Sequence, residues 1–506
     1  MTTTTEKKDN FVYIVSLVVM VALVAFGLIA PTPFGQAASG IFSFLVTYFG
    51  WWYMLVMTLF VVFCLGVAVS RYGRLTLGKS GEKPEFGVLP WFGMLFGAGM
   101  GIGLVFYGVA EPLYHLGTPP FGAEPLSSQA AQDAMRASFF NWCFHPWASF
   151  AVIALCMGYF QFRKGAPGLV SSLMLPILGP KGNDSALARA VDILTVFATA
   201  AGMATSIGLA TLQINSGLKY VFGLPQSISV QLAVLVTIGV IYTFVTISGI
   251  DKGIKFLGNL NLFLACLLGG LLLLLGPTLS ILETFVSSIG AYLQNFIFES
   301  FDVGPFNNEY KGWLGGWTIF YWAWWIAWAP FVGSFIARIS RGRTIREFVV
   351  GSLLVPSLCG MLWISIFGGT ALKLQLTGEA DLISAVNADL STAVFALYEH
   401  VTLGGLTSGV MMLLIGTFLI TSANASTFVC AMYSTHGVLN PPKKRMAIWG
   451  VLQAAFAFVL LLSGGLKALQ TASITAAAPF SIIMVLACWC LLKAFREDFP
   501  EGAEIK

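Results

Sequence analysis

An all-α integral membrane protein with twelve transmembrane helices is what the sequence predicts, on three observations. Of 506 residues, 57% are hydrophobic and only 10% are charged. Twelve apolar runs are each long enough for a helix to cross a bilayer, which takes about 20 residues. They fall near 11–31, 50–70, 90–112, 138–162, 188–218, 230–249, 256–277, 314–337, 348–372, 404–435, 446–464 and 474–495. The loops between them then alternate in charge. With the N-terminus in the cytoplasm, only Arg136, Lys219, Lys311, Lys373 and Lys467 fall outside, and the other 22 of the 27 Lys and Arg fall inside. That is the positive-inside pattern, and one helix more or fewer would scramble it. Both termini are therefore placed in the cytoplasm.

Residues 1–75 form a polar tail and two peripheral helices. No small-residue cleavage site follows a short apolar core, so the first span reads as an anchor rather than a removable signal. Setting these two helices aside, ten remain, five in residues 88–277 and five in 313–495. Gly97-Ala98-Gly99-Met100-Gly101-Ile102-Gly103 opens the first set, and each of its glycines weakens a helix by about 1 kcal/mol relative to alanine. The second set opens with a Trp-rich helix ending in Ala329-Pro330-Phe331-Val332-Gly333, which predicts a second interruption. Interrupted helices at matching positions mark an inverted-repeat secondary transporter with its site at mid-membrane. An odd number of helices per half gives the halves opposite topologies. Residues 278–312, with Glu283, Glu299, Asp302 and Glu309, read as an acidic outer connector lying along the membrane surface. Residues 374–402 form a second outer loop, and 496–506 a short cytoplasmic tail.

Several function classes are excluded. The net charge of +4 reflects the inner loops and gives no reason to expect a nucleic-acid partner. The eight cysteines form no Cys-x-x-Cys pair and read as small buried hydrophobes. Nothing resembles a nucleotide-binding loop, a metal cluster or a catalytic triad, so neither an enzyme nor a cofactor is expected. Glu111, His115, His145 and Asp192 sit near span ends without forming a proton relay. A proton-driven pump usually has one, so their pattern favours sodium coupling or exchange.

Trp317 to Trp328 holds five of the fourteen tryptophans. Trp324, Trp325 and Trp328 share a helical face about 100° wide, which also takes in Tyr321, whereas Trp322 points elsewhere. Trp142, Phe150 and Trp147 cover an arc of about 140° in the fourth span. Two aromatic faces from different helices suit a cation that cannot be hydrogen-bonded, such as a quaternary ammonium group. The competing reading is an aromatic belt or lipid-facing core. Likewise, the glycine run serves either close helix packing or backbone access for a substrate carboxylate at a half-helix N-terminus. In the tenth span, Phe418, Thr421 and Ser422 share a face. Their oxygens either bond to the preceding turn or coordinate an alkali cation.

Gly99-Met100-Gly101-Ile102-Gly103-Leu104-Val105-Phe106-Tyr107-Gly108, followed by Glu111-Pro112, resembles the glycine-helix signature of the betaine/choline/carnitine transporter family. Trp317 to Arg346, ending Ala337-Arg338-Ile339-Ser340-Arg341-Gly342-Arg343, is similar to that family's diagnostic segment almost end to end. The resemblance implies a LeuT-like 5+5 inverted repeat behind two extra N-terminal helices. It also implies a homotrimer in lipid of the bacterial inner membrane, an osmoprotective role and alternating access around a tryptophan box. Trp142, Trp147, Phe150, Tyr321, Trp324, Trp325 and Trp328 would line the substrate route with Met100, Gly101 and Gly103. Trp325 and Trp328 would contact the onium most directly. One sodium site would use Gly97, Met100, Phe418, Thr421 and Ser422. A second would use Thr199 and Phe331, but Met203 stands where sodium-coupled members have a threonine.

Other departures bear on the substrate. Phe150 stands where glycine-betaine carriers favour tyrosine. Gly103 stands where choline carriers tend to have aspartate, whose charge would offset a net cation but repel a zwitterion. The resemblance therefore implies sodium-coupled import of a zwitterion, similar to glycine betaine or dimethylsulfoniopropionate. Sodium-independent carnitine/betaine exchange is the alternative. Exchangers of the family lack the glycine signature and carry an arginine in the seventh span, where this chain has Asn259 and Asn261. The tail from Phe495 to Lys506 lacks the long charged extension of osmotically activated members, so constitutive transport is expected.

Overall fold

The computed structural model describes residues 10–99, 101–179, 182–249, 251–401 and 403–500. Two helices come first, α1 (Phe11–Ile29) and α2 (Pro31–Val69), hinged at Ala30. Pro31 starts α2 at a position where its missing N–H leaves no bond unmade. There follow α3 (Val88–Gly99), α4 (Ile102–Gly117), α5 (Ser128–Trp142), α6 (Phe144–Met157), the single turn α7 (Leu175–Leu178), α8 (Ala186–Phe222), α9 (Ile228–Ser248) and α10 (Asp251–Leu275). The second half comprises α11 (Thr278–Phe301), α12 (Asn308–Leu314), α13 (Phe320–Ile339), α14 (Ile345–Thr377), α15 (Leu382–Ala388), α16 (Ala393–Glu399), α17 (Gly404–Tyr433) and α18 (Lys443–Asp498). Among the described residues the only extended pairing is an isolated bridge between Thr76 and Thr344.

Among the described residues, ten helical segments are long and apolar enough to cross a membrane, and α3 with α4, bent by 68° where they meet, makes an eleventh. The bend coincides with the glycine run. The 56 residues of α18 would measure about 84 Å if straight. They are broken at Gly464 and at Gly465, whose φ of 57° and ψ of −134° suit glycine alone among the common residues.

The predicted interruption at Ala329–Gly333 is not there. Helix α13 runs through Pro330, whose carbonyl accepts bonds from the Ser334 hydroxyl at 2.6 Å and the Tyr433 hydroxyl at 3.0 Å. The carbonyl that the missing Pro330 N–H leaves without its helical donor is that of Ile326, one turn earlier, and the helix continues through it. The irregular turn of this segment lies earlier, a widened π turn at Gly315–Ile319. Conversely, the run 138–162 is not one helix. It breaks at Cys143, with φ −102° and ψ −117°, and Pro146 falls in the first turn of α6, where proline is tolerated.

Burial separates centre from rim. In the most apolar window of Ser128–Arg163, 94% of residues are buried, and 89% in that of Asn308–Ile339, against 28% for Phe11–Ile29. The Trp-rich helix is thus interior, packed on α6 and α8. The connector folds as α11 and α12. Helix α11 turns Leu279, Leu282, Val286, Leu293 and Ile297 outward and buries Glu299 against Arg136 at 2.8 Å. Helices α15 and α16 fall within residues 374–402.

The loop between α13 and α14 is tied to the chain before α3. Gly342 donates to the Leu77 carbonyl and Leu77 to the Arg343 carbonyl, both at 2.8 Å. Glu82 accepts the Lys79 backbone N–H at 2.9 Å and faces Arg341 Nε at 2.6 Å, which together hold its carboxyl below the usual range. Buried Arg343 lies 3.9 Å over the Trp91 ring, donates to the Phe86 carbonyl at 2.8 Å and pairs with Glu347. Arg343→Ala is expected to cost about 2–3 kcal/mol, from one cation–π contact and one charged hydrogen bond. Arg343→Lys should recover only part, because an ammonium cannot both stack and fork. Thermal unfolding in detergent, with exposed Arg338→Ala as control, measures the difference; equal midpoints for all three variants would refute the tie.

Candidate substrate-binding site

Four indoles converge on a stretch of glycine backbone. Trp142 ends α5, and Trp324, Trp325 and Trp328 share one face of α13. With Gly101, just before α4, and Gly103 in its first turn, they line a cavity. All four rings are buried, the most accessible being Trp328 at 6%. They face the protein interior, so the belt reading fails. Trp324 meets Trp328 edge-to-face at 5.8 Å, and Trp142 meets Trp325 likewise at 6.1 Å. Such offsets leave the electron-rich faces available to a cation.

A second layer holds these rings. Trp147 lies 5.3 Å and Phe150 4.5 Å from Trp325, and Tyr321 lies 4.8 Å from Trp142. These three back the cage and do not line the cavity. Trp322 turns away, as expected, and stacks on His145 at 4.5 Å.

Two anchors were not foreseen from the sequence. The Trp324 and Trp328 ring nitrogens both donate to the Gly202 carbonyl of α8, at 3.1 and 3.0 Å. Gly202 permits this approach, since a Cβ there would lie 2.8 Å from Trp328 and 3.2 Å from the Ala327 methyl. The small-residue run Ala198 to Ala204, interrupted only by Thr199 and Met203, was the available signal. Glu111 of α4 is the other anchor, accepting the Trp142 ring N–H at 2.7 Å. Gly103 is equally tight, for a Cβ there would sit 2.7 Å from Trp324 and 2.9 Å from Trp142. The space between the rings measures about 10 Å³, roughly that of one water. A trimethylammonium group enters only if the rings part.

The described residues expected to hold sodium lie on α3, α8, α13 and α17. Thr421 donates to the carbonyls of Phe418 at 2.9 Å and Thr417 at 3.1 Å, and accepts Asn261 Nδ2 at 3.2 Å. Phe418 is buried, Ser422 half-buried and Gly97 exposed at the end of α3. Met100 lies outside the described residues. Thr199 donates to the Thr195 carbonyl at 2.8 Å, with Met203 one turn on and fully buried. Phe331 packs on the cage itself, 5.1 Å from Trp328. Among the described residues no three His, Cys, Asp or Glu side chains cluster as a metal site.

The likeness to known proteins covers nearly the whole chain. The profile of the BCCT, betaine/carnitine/choline family transporter, matches residues 11–500. A glycine betaine transporter of Bacillus subtilis (strain 168) is 46% identical over 495 residues, covering 98% of this chain and 96% of that one. A probable glycine betaine transporter of Desulfitobacterium hafniense (strain Y51) is 44% identical, covering 98% and 99%. An ectoine/hydroxyectoine transporter of Virgibacillus pantothenticus is also 44% identical, covering 98% and 97%. An all-helical chain with an interior tryptophan cage and this span of similarity is a membrane transporter, not an enzyme, and it belongs to the betaine/carnitine/choline transporter family.

Proposed function

We propose that the chain imports a zwitterionic quaternary ammonium or sulfonium compound, similar to glycine betaine or dimethylsulfoniopropionate, by sodium-coupled symport with alternating access. The cage of Trp142, Trp324, Trp325 and Trp328 closed over glycine backbone carries this reading. Indole faces attract an onium without hydrogen bonds. Free amides at the start of α4 suit the carboxylate of the same molecule, and Gly103 places no competing charge in the cavity. Relatives named for glycine betaine, at 44% and 46% identity, support the substrate class. On this reading α18 counts as two spans, making twelve, with both termini cytoplasmic. Two peripheral helices precede a LeuT-like 5+5 repeat, assembled as a homotrimer in the bacterial inner membrane and serving osmoprotection.

Sodium would sit among Gly97, Met100, Phe418, Thr421 and Ser422 and order the broken glycine helix, so that ion and substrate favour one closed state. A second ion at Thr199 and Phe331 lacks an oxygen at Met203. That gap favours the alternative, sodium-independent carnitine/betaine antiport. Uptake of labelled glycine betaine into proteoliposomes separates the two. Symport predicts accumulation driven by an inward sodium gradient, whereas exchange predicts dependence on substrate loaded inside. Under symport, Thr421→Ala should raise the sodium concentration for half-maximal uptake about tenfold, the equivalent of about 1.4 kcal/mol. An unchanged sodium dependence would remove Thr421 from the ion site.

A further inference from the structure

Glu111 is completely buried in α4, where two side-chain N–H groups donate to it and the Tyr321 hydroxyl lies beside it. Its Oε2 accepts the Trp142 ring N–H at 2.7 Å, and its Oε1 accepts Asn141 Nδ2 at 2.8 Å. The Thr318 hydroxyl donates to Asn141 Oδ1 at 2.7 Å, which fixes that amide with its NH2 toward Glu111. His115 presents Nε2 to Oε1 at 3.5 Å, while its Nδ1 accepts the Trp313 ring N–H at 3.2 Å. The imidazole proton therefore sits on Nε2, toward the carboxylate. Both oxygens accept in these bonds, as a carboxylate's do. A buried ionised group in a membrane is costly and marks a functional position. The far edge of the same Trp142 ring, Cη2, closes over Gly103 in the cavity wall. The Glu111 carboxyl thus stands one indole's width from the cage.

We infer that Glu111 is a specificity-determining residue that acts through Trp142. Its charged hydrogen bond fixes the ring and makes the ring face more negative where it meets the onium. This rests on the cage reading above. An ionised acceptor strengthens and polarises the N–H bond, and a more electron-rich ring holds a cation more tightly. The effect exists only for a guest that carries positive charge; a neutral group of the same shape gains nothing from it.

Glycine betaine and 3,3-dimethylbutyrate test this, since they differ only in a positive nitrogen against a neutral carbon. Glu111→Gln keeps an acceptor for the Trp142 N–H and removes the charge. Equilibrium binding of both compounds to the purified protein is expected to show a wild-type preference for betaine that shrinks roughly five- to tenfold in Glu111→Gln, the size of a partial loss of one cation–π contact. Affinity for 3,3-dimethylbutyrate should hold or improve. Trp142→Phe, which has no ring N–H, should lose the same preference, and adding Glu111→Gln to it should change nothing further. Equal weakening of both compounds, or an unchanged preference in either variant, overturns the inference and leaves Glu111 a packing residue. A wild type that does not discriminate the two compounds overturns the cage reading itself, and this inference with it.

Discussion

Trp328→Leu is expected to lower kcat/KM for glycine betaine uptake about 30-fold or more while membrane insertion stays intact. A desolvated cation–π contact with tryptophan is worth about 2 kcal/mol or more, which is a factor of about 30. Leucine supplies bulk but no electron-rich face. The variant also loses the bond from Trp328 to the Gly202 carbonyl, yet that carbonyl keeps the Trp324 donor at 3.1 Å, so α8 and α13 stay joined. Trp328→Phe separates the two contributions. It retains a ring without the N–H and should fall between leucine and wild type. Trp322→Leu is the counterpart on the opposite face, where the ring stacks on His145. It should lower thermal stability and spare the half-saturating substrate concentration. Reconstituted transport with retention in detergent as a folding check reads all three. Full activity in Trp328→Leu would dismiss the cage as the substrate site.

The spans were legible because a chain in lipid must satisfy its backbone internally, so an apolar run such as Phe11–Ile29 has few alternatives to helix. Breaks were harder to place. Pro146 and Pro330 both lie in apolar runs, and the sequence treats them alike. One falls at the start of a helix and the other in the middle, and the difference lies in where each helix begins, which the proline alone does not set. The same holds for the cage. Helical periodicity put Trp324, Trp325 and Trp328 on one face and turned Trp322 away, as observed. It could not separate lining rings from backing ones, because Trp147 and Phe150 reach the site only behind Trp325. The anchoring roles of Gly202 and Glu111 escaped notice for a related reason. A glycine carbonyl and a carboxylate near a span end acquire their roles from ring nitrogens on other helices.

Gly103→Ala is expected to cut betaine uptake about 10- to 100-fold, and to do so far more than Gly101→Ala. Both glycines line the cavity, but they differ in clearance. A Cβ at position 103 would meet Trp324 at 2.7 Å and Trp142 at 2.9 Å, whereas one at 101 meets nothing within 4 Å. Overpacking of this kind costs about 1–3 kcal/mol where neighbours cannot yield. Here both rings are held at their nitrogens, Trp324 by Gly202 and Trp142 by Glu111. The methyl therefore takes space that the onium needs. Gly103→Asp adds a charge to the same clash, so it should abolish uptake of a zwitterion; any transport that survives should favour choline, a net cation. Initial rates for glycine betaine and choline across the three variants decide the matter. If Gly101→Ala proved the more damaging, the indoles would have to part around position 103 during the cycle, and the tightest passage for the substrate would lie at the junction of α3 and α4.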